Sequence, residues 1–180
     1  MVSLIDCRNA LEESRGDFEK AKEILRKKGT FLALKKTERS TAAGIIASYI
    51  HSDERIGVLV ELNCETDFVA RNADFKELGH ELAMHIAAMN PTYICVEDIP
   101  SRVVETEKEI YRAQFQDLEK PHEVVEKIIE GKIQKYSEEQ VLLRQSYVRD
   151  DSKTIQDFIN EYIARLGENI QVKRFIRYQI

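Results

Sequence analysis

A short segment in the first half of the chain carries the residues best suited to act on a partner. It reads Cys64-Glu65-Thr66-Asp67-Phe68-Val69-Ala70-Arg71 and lies where a predicted strand gives way to a predicted helix. An acidic group beside an aromatic ring at such a junction suits a loop that is offered to another protein. The same residues also fit a purely structural role, in which Thr66 or Asp67 caps the helix and Phe68 lies in the core.

Two histidines and a cysteine close to this segment do not make a hydrolytic or metal centre. His80 and His85 are five positions apart, whereas a zinc-binding pair on a helix is four positions apart. Five positions separate two side chains by about 140° around a helix. Cys64 falls on the apolar face of its strand, which predicts a buried, inert thiol. We therefore expect no catalytic residue, no bound metal and no cofactor.

Charge and length argue against several classes of protein. The 27 Lys and Arg residues are outnumbered by 32 Asp and Glu residues, which gives a net charge of −5 and no general reason to bind nucleic acid. No run reaches the roughly 18 consecutive apolar residues that a membrane span needs. The 180 residues suit one domain with a small appendage. Cys7, Cys64 and Cys95 lack the spacing of zinc or redox pairs and predict free thiols in a cytoplasmic protein.

The elements that must position the segment begin with two short helices over residues 3–29. Ser3 caps the first helix and Gly16 ends it, and Asp17 caps the second helix, which Gly29 stops. The positions expected to face inward are Leu4, Cys7, Leu11, Ser14, Phe18, Ala21, Ile24 and Leu25. We predict a helical domain over residues 1–29, a basic linker over 30–40 and a core domain over 41–180.

The core domain begins with a predicted β-hairpin of residues 44–50 and 56–64. In the second strand the inward residues alternate with a period of two: Ile56, Val58, Val60, Leu62 and Cys64. An amphipathic helix over residues 73–89 follows and should pack on the hairpin. Three more helices are predicted over residues 101–118, 121–136 and 153–166.

A third strand is predicted over residues 169–180. Its inward residues should be Ile170, Val172, Ile176, Tyr178 and Ile180. Strands separated by helices predict an α+β fold, in which a three-stranded antiparallel sheet packs against helices.

These stretches together resemble the translation elongation factor Ts family. The run from Ile56 to Arg71, followed by Met84-His85-Ile86-Ala87-Ala88, is similar to the family signature. Three other stretches resemble the family in the same order: Asp6 to Glu13 with Gly16-Asp17 and Arg26 to Gly29, which are similar to two helices of a ubiquitin-associated-like domain, then Lys120-Pro121 to Gly131-Lys132, and Leu166-Gly167-Glu168-Asn169-Ile170 with Arg174-Phe175.

The resemblance implies guanine-nucleotide exchange on elongation factor Tu, in its GDP-bound and nucleotide-free forms. It implies that Thr66, Asp67, Phe68 and Val69, which we call the tip, enter the GTPase near its Mg²⁺ and nucleotide site and promote GDP release so that GTP can rebind. Leu4 and Ile5 stand where the family commonly has two methionines in contact with the GTPase. His85 matches the family helix and either touches the partner or supports the tip.

Two departures from the family bear on the partners. The chain starts inside the second helix of the ubiquitin-associated-like domain, so that domain is expected to be truncated. Only one half of the longer members' core is present, which predicts a homodimer formed through the sheet. A scaffold that binds some other protein through the helical hairpin is the alternative function. A bacterial cytoplasmic protein is favoured over the mature form of an organellar one.

Overall fold

The structure is a computed structural model that describes residues 4–115 and 122–180, without the side chains of Leu4, Arg26, Thr30, Leu32 and Leu34. The elements follow in the order α1 (Leu4–Glu13), α2 (Phe18–Leu34), β1 (Ala43–Ile50), β2 (Ile56–Cys64), α3 (Asp67–Ala70), α4 (Ala73–Met89), α5 (Ser101–Gln114), α6 (His122–Gln140), β3 (Ser146–Tyr147), β4 (Asp150–Thr154), α7 (Ile155–Leu166) and β5 (Ile170–Gln179). None of the helices within the described ranges combines the length and apolar character that a membrane crossing requires.

A three-stranded antiparallel sheet in the order β1-β2-β5 confirms the predicted fold class. The central strand β2 has the predicted bounds, and four of its inward residues are buried, namely Val58, Val60, Leu62 and Cys64. Strand β2 is hydrogen-bonded to a neighbouring strand on each side. Its apolar alternation is the clearest strand pattern in the sequence.

A bulge in β5 overturns the predicted inward face of that strand. Glu61 pairs with Arg174 while its neighbour Leu62 pairs with Val172, which leaves Lys173 as an extra residue. One extra residue moves every later side chain to the opposite face. The prediction was therefore wrong for Ile176, Tyr178 and Ile180, which are exposed, whereas Phe175 and Arg177 are partly buried.

Helix α4 covers the inner face of the sheet and confirms the predicted span of residues 73–89. Its buried residues include Phe75, Leu78, Leu82 and Ile86. Gly79 lets the helix approach β1 closely, because a Cβ there would lie 2.9 Å from the Cβ of Ala47. Helix α7 packs against α4 and completes this side of the core.

The N-terminal hairpin, α1 and α2, begins as predicted but runs further. Asp17 caps α2 by accepting hydrogen bonds from the backbone N–H groups of Glu19 and Lys20. The predicted stop at Gly29 was wrong, because α2 continues to Leu34 and takes in residues expected in the linker. A glycine inside a helix costs only about 1 kcal/mol, and Gly29 packs against Ala164 of α7.

The expected inward faces of this hairpin need a second correction. Phe18 is 65% exposed and Leu11 is 36% exposed, whereas Ala21 is buried and Ile24 and Leu25 are partly buried. Only one side of α2 packs against α1 and α7, so the apolar stripe is wider than the surface that covers it. The Ser3 cap and the inward side chain expected for Leu4 lie outside the description.

The C-terminal half contains a small hairpin that the sequence did not predict. Strands β3 and β4 form a two-stranded antiparallel ladder, and α7 begins two residues later than expected. Residues 150–154, Asp-Asp-Ser-Lys-Thr, have no apolar alternation, so no strand pattern was visible. Helix α6 extends past residue 136 to Gln140. The predicted helix boundaries at Leu118 and Pro121 lie outside the described residues.

Candidate partner-binding site

The tip is a single helical turn that follows β2 directly. Thr66 caps α3, its Oγ1 accepting a hydrogen bond of 3.4 Å from the backbone N–H of Val69. Val69 and Ala70 are buried and anchor the turn in the core. Asp67 and Phe68 point outward, and Phe68 is 84% exposed. The turn therefore presents a carboxylate and an aromatic ring side by side.

This geometry settles the two roles that the sequence left open for these residues. Thr66 does cap the helix, as the structural interpretation allowed. Phe68 is not a core residue, since it is the most exposed phenylalanine among the described residues. A large exposed apolar side chain on a fixed turn is the feature expected of a contact residue.

An open depression lies beside the exposed pair. Its lining residues are Asp67, Phe68, Arg71 and Asn72. Asn72 caps α4 by accepting from the backbone N–H of Asp74 at 2.8 Å. The tip thus stands between β2 and the start of α4, two elements that are fixed by the core.

The end of α7 holds the other side of the tip. Glu168 Oε2 accepts from the backbone N–H groups of Glu65 and Thr66 at 3.1 and 3.0 Å, and Glu168 Oε1 accepts from the Thr66 hydroxyl at 2.7 Å. Sequence reasoning missed Glu168 because about a hundred residues separate it from Thr66. The only signal was the Leu-Gly-Glu-Asn-Ile stretch, which was interpreted as the entry of a strand.

Cys64 lies under the tip as an unreactive thiol, as predicted. It is fully buried, and its Sγ donates to the carbonyl oxygen of Thr66 at 3.2 Å. Burial, together with the negative charge of Glu168, raises the pKa of this thiol to about 11. A thiol that stays protonated at neutral pH is a poor nucleophile.

His85 is buried and its imidazole has no exposed surface to offer a partner. Its Nδ1 accepts from the backbone N–H of Val148 at 3.3 Å, and its Nε2 lies 3.0 Å from Gln145 Oε1. The amide of Gln145 donates to backbone carbonyls, so its oxygen is left to accept from Nε2–H. The Nδ1 contact requires the neutral ring, because a protonated Nδ1 could not accept from Val148, and burial lowers the pKa of His85. His80, five positions earlier, is exposed, as the spacing predicts.

The N-terminal hairpin offers apolar surface of its own. Ile5 on α1 is 63% exposed, and Phe31 on α2 is exposed with the Lys35 ammonium 4.4 Å from its ring centroid. The side chain of Leu4, predicted to act together with Ile5, lies outside the description. An ion pair between Lys28 and Asp6 joins the two helices.

A second apolar surface covers the side of the sheet opposite α4. Five exposed side chains from all three strands form this outer sheet face: Ile46, Ile50, Leu59, Ile176 and Tyr178. Leu59 pairs with Ile176 across β2 and β5, so the patch is continuous between those strands. A contiguous apolar surface of this kind is typical of a protein interface.

Comparison with known proteins gives a consistent result. The family model described as "Elongation factor TS" matches residues 9–180. Elongation factor Ts of Fervidobacterium nodosum is 57% identical over 179 residues, covering 99% of this chain and 91% of that protein. Elongation factor Ts of Thermotoga neapolitana is 58% identical, with 99% and 90% covered. Elongation factor Ts of Coprothermobacter proteolyticus is 56% identical, with 99% and 91% covered.

Proposed function

The chain belongs to the elongation factor Ts family and is a translation elongation factor, and on that premise we propose that it releases GDP from elongation factor Tu. In this proposal it binds the GDP form of the GTPase, the tip enters near the Mg²⁺ and nucleotide site, and GTP rebinds after GDP has left. The exchange takes place in the cytoplasm.

Exchange of this kind requires no bond to be made or broken. A protein that binds the nucleotide-free GTPase more tightly than the GDP form must weaken GDP binding by the same factor. The interaction energy that this requires can come from shape and charge at one contact. The proposed mechanism therefore requires no catalytic residue.

The observation that carries the proposal is the exposed pair Asp67 and Phe68 on an anchored turn. Phe68 can insert between apolar elements of the partner, since its ring is already free of intramolecular packing. Asp67 can compete for hydrogen bonds that hold the Mg²⁺ shell. Loss of that ion would remove a large part of the charge that neutralises the GDP phosphates.

The N-terminal hairpin supplies a second contact in this proposal. Ile5 is exposed there, and Leu4 precedes it on α1. We assign both residues to apolar contact with the GTPase, through a hairpin that we propose to be ubiquitin-associated-like. We give His85 a supporting role inside the fold, because its ring is buried.

The direct test is the release of a fluorescent GDP analogue from elongation factor Tu in the presence of excess unlabelled nucleotide. Wild-type protein should accelerate release, and the double variant Asp67→Ala, Phe68→Ala should do so much less. Ile110→Ala removes an exposed apolar side chain from α5 and serves as the control, with the wild-type rate expected. Folded wild-type protein that leaves the rate unchanged would contradict exchange and favour the scaffold function.

We also propose a homodimer formed through the outer sheet face. The support is the exposed apolar patch on a sheet whose other face packs against α4. Sedimentation at tens of micromolar should give a dimer for wild type and a monomer for Ile176→Glu. Val124→Glu places the same charge on α6 and should remain dimeric. A monomeric wild type would contradict the proposal.

A further inference from the structure

We propose that Glu168 is a positioning residue that holds the tip in the conformation that acts on the partner. This inference depends on the proposed exchange function and adds a residue that lies outside the tip. Its basis is a set of hydrogen bonds between the end of α7 and the end of β2, which we call the brace and which comprises Glu65, Thr66, Glu168 and Asn169.

The way α7 ends places the Glu168 carboxylate next to the tip. Gly167 ends the helix in the left-handed conformation, with φ +82°, which a glycine adopts without strain. The next residue leaves the helix axis, and its two carboxylate oxygens take three hydrogen bonds from Glu65 and Thr66. An ionised carboxylate that accepts from two backbone N–H groups and a hydroxyl makes the stronger kind of hydrogen bond.

A reciprocal contact strengthens the same junction. The carboxylate of Glu65 accepts from the backbone N–H of Asn169 at 2.6 Å and lies 3.6 Å from the Arg39 guanidinium. The buried side chain of Asn169 donates to the carbonyl oxygens of Thr37 and Arg39 at 3.3 and 2.8 Å. Three parts of the chain therefore meet at the base of the tip: the α2–β1 connection, the end of β2 and the start of β5.

The Thr66 hydroxyl links the brace to the turn itself. It donates to Glu168 Oε1 and accepts from the backbone N–H of Val69. Glu168 thereby fixes the rotamer in which Thr66 caps α3. A helix of four residues is too short to be stable without such support.

Loss of the Glu168 carboxylate should convert the ordered turn into an ensemble. Glu65 and Thr66 would then satisfy their N–H groups with water, because the tip lies at the surface. The apparent affinity for a partner falls in proportion to the fraction of molecules that hold the competent conformation. If that fraction drops to about one tenth, the efficiency of exchange falls about tenfold.

The test compares Glu168→Ala and Glu168→Gln with Glu161→Ala, which removes from α7 an exposed carboxylate that pairs with Lys153. The first readout is amide hydrogen exchange in the free protein. In Glu168→Ala the amides of Glu65 and Thr66 should exchange at least about ten times faster, while the amide of Val60 in β2 keeps its protection. Glu168→Gln should restore most of the protection, because its amide oxygen still accepts and its NH₂ group can donate to Thr66 Oγ1. Glu161→Ala should match wild type.

The second readout is fluorescent GDP release from elongation factor Tu at varied factor concentration. The ratio of the maximal rate to the half-saturating concentration should fall about tenfold in Glu168→Ala and recover in Glu168→Gln. Wild-type exchange by Glu168→Ala would overturn the inference, and so would a uniform loss of protection that includes Val60. If wild type itself fails to release GDP, the proposed function is wrong, and amide exchange alone then tests the brace.

Discussion

Phe68→Ala should weaken the action of the protein on its partner without weakening the fold. Complete burial of a phenylalanine side chain contributes roughly 1.5–3 kcal/mol. Since 84% of this residue is still exposed in the free protein, about 1.3–2.5 kcal/mol of that range remains for binding. This free energy corresponds to about a 10- to 70-fold loss in exchange efficiency. The free energy of unfolding should change by less than about 0.5 kcal/mol, as for most surface substitutions.

The assay is stopped-flow release of a fluorescent GDP analogue from elongation factor Tu over a range of factor concentrations. Phe68→Leu keeps much of the apolar area and should lie between wild type and Phe68→Ala. Thermal unfolding of each variant, followed by circular dichroism, checks the fold. Exchange by Phe68→Ala within twofold of wild type would refute the reasoning. A large drop in its melting temperature would also refute it, since the ring would then be contributing to the core.

Three further predictions concern stability and reactivity. Gly79→Ala should lower the free energy of unfolding in urea by about 1–3 kcal/mol through overpacking against Ala47, whereas Gly131→Ala, which meets open space in α6, should raise it by about 0.5–1 kcal/mol. The opposite order would contradict the close approach of α4 to β1. Burial lowers the pKa of His85 below its ordinary value of 6.5. Below pH 6.5 the unfolded chain therefore binds a proton more readily than the folded chain does, and the free energy of unfolding should fall as the pH drops below that value. His85→Gln should lack this part of the decline in urea titrations at pH 7.5 and 5.5. The Cys64 thiol has its pKa raised to about 11, so it should resist iodoacetamide at pH 8 in the native protein and react after unfolding in guanidinium. Mass spectrometry of the peptide that contains Cys64 measures the modification. Modification of Cys64 in the native protein would show that the prediction is wrong.

Local periodicity was enough to predict the elements that carry the tip. Strand β2 and helix α4 have the bounds that the sequence indicated, Ile56–Cys64 and residues 73–89. Each has an uninterrupted apolar pattern of period two or about 3.6, flanked by residues that cap a helix or end a strand. Such patterns depend only on residues that are close in sequence, so they can be recognised without knowledge of the tertiary structure.

Elements whose form depends on distant neighbours were predicted less well. The bulge at Lys173 exists because β5 must pair with β2 in a particular register, and nothing in residues 169–180 alone indicates it. Gly29 was expected to end a helix, yet its packing against Ala164 of α7 lets α2 continue. In both places a contact with a distant element outweighed the local preference.

The sequence by itself determined the kind of contact that this protein can offer. Thr66, Asp67, Phe68 and Val69 stand in order after a buried strand, and that order is a property of the chain. Only the tertiary structure decided that Phe68 points outward, that His85 points inward and that Glu168 closes on Thr66. The physical reason is that a side chain's exposure and its hydrogen-bond partners depend on distant segments, 60 positions away for His85 and Gln145 and 102 for Thr66 and Glu168, which come together only when the core forms.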